Sequence, residues 1–89
     1  MRGTRFPVTN YSSVAALYAA ISQTGNNNIG IYATNAATSG NLGCGSDTGI
    51  VLAKYFTSDD TVKYIAIGSY IAIGRIASDG TVTVSRTIQ

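Results

Sequence analysis

The chain has 89 residues, with six Lys and Arg against four Asp and Glu, one Cys, no His and no Trp. Without His there is no imidazole-based catalysis and little basis for a zinc site, and four carboxylates make an acid–base pair improbable. We therefore expect no enzyme, no metal site and no cofactor, and a scattered net charge of +2 does not indicate a nucleic-acid-binding protein.

The composition predicts one folded domain. Charged residues make up only 11% of the chain, while hydrophobic residues reach 45%. Residues 1–10, which contain the single Pro, are interpreted as an extended lead-in or linker, and residues 11–89 as a single small β-rich domain. No apolar run is long enough for a membrane span and no signal-peptide pattern is present, so we expect no membrane insertion.

One helix is predicted near the N-terminus, over residues 14–21. Its apolar residues recur at helical spacing: Val14, Leu17, Tyr18 and Ile21. Ser12 or Ser13 is suited to cap its start, and Gly25 with the asparagines at 26–28 is expected to end it. Because so short a helix does not persist alone in water, its apolar face must pack on another element.

Five strands are predicted after this helix, over residues 29–34, 49–57, 62–67, 70–76 and 81–88. Gly68 and Ser69 fit a two-residue hairpin loop, in which Ile67 would oppose Tyr70. The predicted fold class is α+β, mainly β, with one short N-terminal helix packed on an antiparallel meander of about five strands. Both faces of such a sheet are apolar, so one face takes the helix and the other needs a partner.

Residues 35–48 are rich in small polar side chains and are predicted to form one long loop. Its amide, hydroxyl and carboxylate groups are candidates for contact with a receptor glycan: Asn35, Thr38, Ser39, Asn41, Ser46, Asp47 and Thr48. Cys44 lies between two glycines of this loop, so we expect an accessible thiol. Asp59 and Asp60 are interpreted as turn formers rather than calcium ligands.

Over residues 29–89 the order of motifs resembles a known family. The motifs are Gly30-Ile31-Tyr32, a small-residue loop, an apolar strand at 49–54, Val62-Lys63-Tyr64-Ile65 and an Arg-bearing strand at 70–75. This pattern is similar to the pyocin knob domain, a family that decorates phage tail fibres. The resemblance implies a homotrimeric structural module on the virion surface or otherwise extracellular, and no catalytic or binding residue carries over from it.

Two hypotheses for function follow. The first is a non-enzymatic viral tail-fibre or tail-spike module for trimerisation and attachment to a host receptor, a cell-surface glycan. The alternative is a monomeric carbohydrate-binding or adhesin-like module. In that case the six tyrosines and residues 35–48 would form the site, since tyrosine rings can stack on sugars.

Overall fold

The computed structural model describes residues 9–23 and 29–89. Within these ranges the chain forms six strands and two helices, in the order β1 (Asn10–Tyr11), α1 (Val14–Ser22), β2 (Ile29–Thr34), α2 (Ala36–Leu42), β3 (Gly49–Phe56), β4 (Thr61–Ile67), β5 (Ile71–Ile76) and β6 (Val82–Ile88). Neither of these helices has the length and hydropathy to cross a membrane. Most of the predicted lead-in, and the predicted stop at 25–28, lie outside the described residues.

The strands form one sheet in sequence order, in which β1 runs parallel to β2 and each later pair is antiparallel. This confirms the prediction of a small, mainly β domain. The sheet is mixed rather than a pure meander, because β1 adds a parallel strand at residues 10–11, on the boundary between the predicted lead-in and the predicted domain. The amide of Asn35 donates to the carbonyl of Tyr11 over 3.2 Å and helps to hold β1 in place.

Helix α1 packs on the sheet through two fully buried side chains, Leu17 and Ile21. Its start is capped by Ser13, whose Oγ accepts a hydrogen bond from the amide of Ala16 at 3.1 Å. Such a cap supplies a partner for one of the amides that a helix leaves without one. The burial of Leu17 and Ile21 adds the packing energy that a nine-residue helix needs.

Helix α2 was not predicted, and it replaces half of the loop expected over residues 35–48. Asn35 caps its start by accepting the Thr38 amide at 2.8 Å. Gly43 ends it with φ of +90°, and the Cys44 amide donates to the Ser39 carbonyl at 3.1 Å, a pairing typical of helix C-caps. Gly, Asn, Ser and Thr are poor helix formers, so helix propensity contributes little to the stability of α2. The helix is stabilised instead by these caps and by the burial of Leu42.

The hydrophobic core lies between the two helices and one face of the sheet. Its buried residues are Leu17, Ile21, Tyr32, Leu42, Cys44, Val51, Ala53, Val62, Tyr64, Ala66, Ala72 and Ile76. The strand members alternate with residues that point to the opposite face, as the two-residue period of a strand requires. One face of the sheet is thus covered by helices, and this leaves the other face for the candidate site.

The loop between β4 and β5 has three residues rather than the predicted two. The amide of Gly68 donates to the carbonyl of Tyr70 at 3.0 Å, and Ile67 pairs with Ile71. The predicted pairing of Ile67 with Tyr70 was therefore wrong by one residue. The observed register places Ala66 opposite Ala72 under the helices, so isoleucines collect on the far face.

Candidate functional site

The face of the sheet that points away from both helices is here called the open face. It carries seven large apolar side chains that are between 39% and 72% exposed: Ile29, Ile31, Ile50, Leu52, Ile65, Ile67 and Ile88. Isolated apolar residues on a surface are ordinary, but a contiguous group of this size marks an interaction surface.

The register of the strands makes the group contiguous. One row crosses four strands through the directly paired residues Ile31, Leu52, Ile65 and Ile73. A second row lies beside it and consists of Ile50, Ile67, Ile71 and Ile88. Side chains that oppose each other across strands are in contact distance, so the two rows form one apolar surface.

A basic row borders this apolar surface. Lys54 pairs with Lys63, and Lys63 pairs with Arg75, so three cationic residues lie side by side on three strands. The Nζ atoms of Lys54 and Lys63 lie 4.2 Å and 4.5 Å from the centroid of the Phe56 ring. A ring face attracts cations and draws the two ammonium groups to the same place.

Arg86 joins this group from the edge strand, because it pairs with Ile73 on the open face. We call Lys54, Lys63, Arg75 and Arg86 the basic group. They are all the Lys and Arg residues among the described positions, and all lie on the open face. The four Asp residues lie outside the strands. Sequence reasoning missed this segregation because the four cations are scattered along the chain, and only the register brings them together.

An open depression of about 660 Å³ lies where the basic row meets the apolar surface. Its lining includes Lys54, Lys63, Arg75, Phe56, Ile65 and Ile73. Polar cationic heads and apolar stems thus face the same space, which suits a partner with an anionic group beside an apolar or weakly polar surface.

The seven candidate receptor residues divide into two groups. Thr38 and Ser39 are buried inside the domain, and the Ser39 hydroxyl lies 2.7 Å from that of Thr34. Asn35 is half-buried and occupied as the α2 cap. The remaining four are exposed on α2 and on the connection that follows it: Asn41, Ser46, Asp47 and Thr48.

The thiol of Cys44 is fully buried, so the expected accessible thiol was wrong. Its Sγ donates to the carbonyl of Ser39 at 3.4 Å, and burial raises the pKa of the Cys44 thiol. Gly43 and Gly45 both adopt positive φ, and the resulting turn directs the side chain between them into the core.

The six tyrosines pack into the domain rather than forming an exposed platform. All are buried or half-buried: Tyr11, Tyr18, Tyr32, Tyr55, Tyr64 and Tyr70. Two of them, Tyr18 and Tyr55, meet edge to face with ring centroids 6.3 Å apart. Both hydroxyls donate to Asp60, and the hydrogen bond to its carboxylate raises the pKa of Tyr55 to about 12.

Asp60 therefore has a structural role in the β3–β4 turn, where its φ is +55°. Among the described residues, no three His, Cys, Asp or Glu side chains are grouped so that they could hold a metal ion.

No family model matches the chain, and neither a curated protein nor a solved structure matches it. The similarity to the pyocin knob domain therefore stays a prediction.

Proposed function

We propose that this chain is a non-enzymatic assembly module in which copies cover one another's open faces, and that the assembled form is a homotrimer. The observation that carries the proposal is the pair of isoleucine-rich rows exposed on that face. Leaving such a surface in water costs the transfer free energy that its burial would recover, at about 25 cal/mol per Å².

The open face is small for an interface between only two copies. Neighbouring strands lie about 4.8 Å apart and residues rise about 3.3 Å along a strand, so β2 to β6 present on the order of 400 Å². Two copies would bury about 800 Å² in one interface, the size of a crystal contact, whereas three copies would bury about 1,200 Å² in total, divided among three interfaces. The trimeric state itself comes from the sequence resemblance to the pyocin knob domain.

The proposal extends to the setting that the sequence resemblance implies. A small trimeric module with few charges suits a phage tail fibre or tail spike on the virion surface, where it would present a receptor-binding surface for a host glycan. The exposed polar residues Asn41, Ser46, Asp47 and Thr48 lie outside the strands, on α2 and on the connection to β3, and would stay accessible in the trimer.

Sedimentation equilibrium tests the assembly. We expect the chain to sediment with three times its mass of 9.2 kDa. A double variant, Leu52→Thr with Ile65→Thr, removes apolar area from the centre of the open face and places there a β-branched residue that suits strands. It should remain folded and become monomeric, whereas Thr83→Val, at the edge, should leave the trimer intact. A wild-type monomer at micromolar concentration would refute the proposal and favour the monomeric carbohydrate-binding alternative.

The proposed attachment to a receptor has to be tested with point variants, because a deletion would disrupt the core. Replacing residues 35–48 by a short turn would remove Leu42 and Cys44 from the core and unfold the domain. The double variant Asn41→Ala with Thr48→Ala instead truncates two exposed side chains. If the exposed polar residues on α2 and on the connection after it bind a receptor, this variant should lose attachment to cells while staying a trimer. Unchanged attachment would move the site elsewhere.

A further inference from the structure

The open face combines an apolar surface with four like charges, and this combination sets a condition on assembly. Lys63, Arg75 and Arg86 are exposed, and Lys63 and Arg75 are directly paired across strands. Like charges that oppose each other across a sheet are destabilising. The sheet nevertheless places every described cation here and all four Asp side chains outside its strands.

Assembly would bring these charges closer together. In a cyclic trimer whose threefold axis runs along the strands, equivalent residues lie at the same height, so the basic groups of all three copies meet near one end of the shared core. Burial of the neighbouring apolar rows lowers the local dielectric constant and strengthens the repulsion. Negative charge at that end would therefore stabilise a trimer built on the open face.

We propose that the basic group is a binding site for a multivalent oxyanion, of the phosphate or sulfate type, and that occupation of this site strengthens assembly. Arg75 can offer two parallel N–H donors to such a group, and the lysine ammonium groups add mobile point charges. The Ser85 hydroxyl, which lines the same depression, is a further donor. The inference deepens the proposed trimer and rests on it.

The register gives the site its dimensions. Lys54, Lys63 and Arg75 lie on adjacent strands, so their backbones are separated by about 5 Å per step. Arg86 lies diagonally across from Arg75, at about 7–8 Å. An anion with two or more charged groups, such as pyrophosphate or a sulfated oligosaccharide, can contact several of these residues at once, whereas chloride cannot.

The test compares sedimentation equilibrium in sodium chloride with the same buffer to which millimolar pyrophosphate is added at matched ionic strength. When the anion is present at ten times its Kd, binding to the assembled form alone should raise the association constant about tenfold per site. A sulfated oligosaccharide and its desulfated counterpart form a second pair. They distinguish a free oxyanion from one carried on a glycan.

Two variants locate the effect. Lys63→Gln with Arg75→Gln should abolish the response to pyrophosphate and should assemble at least as well in chloride, because the repulsion is reduced. Lys63→Arg keeps the charge and should keep the response. An equal response in the double variant would show a general salt effect and overturn the site.

The absence of an oxyanion site and the absence of a trimer give different results. A trimer that is equally stable in chloride and pyrophosphate overturns the oxyanion site and leaves the trimer standing. A chain that stays monomeric in both salts refutes the trimer and, with it, the linkage. Calorimetric titration of that monomer with pyrophosphate then tests the oxyanion site alone. A binding heat in the wild-type chain that is absent from the double variant supports the site, and the absence of any binding heat overturns it.

Discussion

Tyr64 joins the sheet to α2 through its hydroxyl, which donates to the carbonyl of Leu42 at 2.6 Å. Leu42 is the last residue of α2, so this hydrogen bond satisfies a carbonyl that the helix leaves without a partner. The ring itself is buried in the core. Burial, with a smaller contribution from Cys44, raises the pKa of Tyr64 to about 12 from the ordinary value of 10.0.

This pKa predicts a loss of stability in alkali. The folded state favours the protonated phenol, so its contribution is complete below pH 10.0 and disappears as the pH rises through about 12. Urea titrations across this range should show a falling free energy of unfolding. Tyr64→Phe should be less stable at neutral pH by about 1 kcal/mol and should decline less steeply in alkali. Identical slopes for the two proteins would contradict this assignment.

The buried thiol of Cys44 should resist chemical modification in the folded protein. A thiol reagent needs the thiolate and access to the sulfur, and the fold opposes both. In the native protein the thiol should react only when the structure opens transiently. In urea at unfolding concentrations it should react at the rate of an ordinary exposed cysteine. Fast modification without urea would show that the turn at residues 43–45 opens readily.

At the scale of elements, α1 depends on one side chain more than on any cap. Leu17 is fully buried between the helix and the sheet. Leu17→Ala should lower the free energy of unfolding by about 2–3 kcal/mol, because it leaves a cavity as well as losing apolar contact. Ala19→Gly, at an exposed position of the same helix, should cost about 1 kcal/mol through propensity alone. Equal effects in urea titration would mean that the α1 face is not packed.

The end of α2 is tested by two glycines with the same backbone angle. Gly43 and Gly80 both have φ of +90°. A Cβ at Gly43 would lie 2.7 Å from Cγ2 of Val84, whereas one at Gly80 would meet nothing within 4 Å. Gly80→Ala should therefore cost about 1 kcal/mol of backbone strain, and Gly43→Ala distinctly more. Equal losses in thermal unfolding would show that α2 does not pack against β6.

These elements also show what sequence can predict. The spacing of Leu17 and Ile21 is sufficient for α1, since periodicity reports burial directly. Helix α2 has no such period and poor propensities, and only its caps, Asn35 and Gly43, signal it. The β4–β5 register could not be predicted, because it depends on whether Tyr70 belongs to the loop or to the strand.

For the whole molecule, the same register decides where the candidate site lies. The alternation of Ile with Ala in β4 and β5 indicates two apolar faces. Which residues share a face depends on pairing, so the basic group could not be found in the sequence, where its members are separated by 9 to 12 residues in their numbering. Two of the seven predicted receptor residues, Thr38 and Ser39, are buried in α2, and the side-chain oxygen of a third, Asn35, caps that helix.

If copies of the chain cover the open face, a thiol placed on that face should become protected as the chain assembles. Ile65 lies within the first apolar row and is 43% exposed, whereas Ser78 lies in the exposed β5–β6 turn. Because Cys44 is buried, a thiol reagent reaches only the introduced cysteine in the folded protein. In Ile65→Cys, modification should slow as the protein concentration rises into the range of assembly, while Ser78→Cys should react at a constant rate. Sedimentation would establish in parallel that the Ile65→Cys variant is a trimer. If its introduced thiol reacted equally fast at every protein concentration, the interface would lie elsewhere and the open face would not be covered.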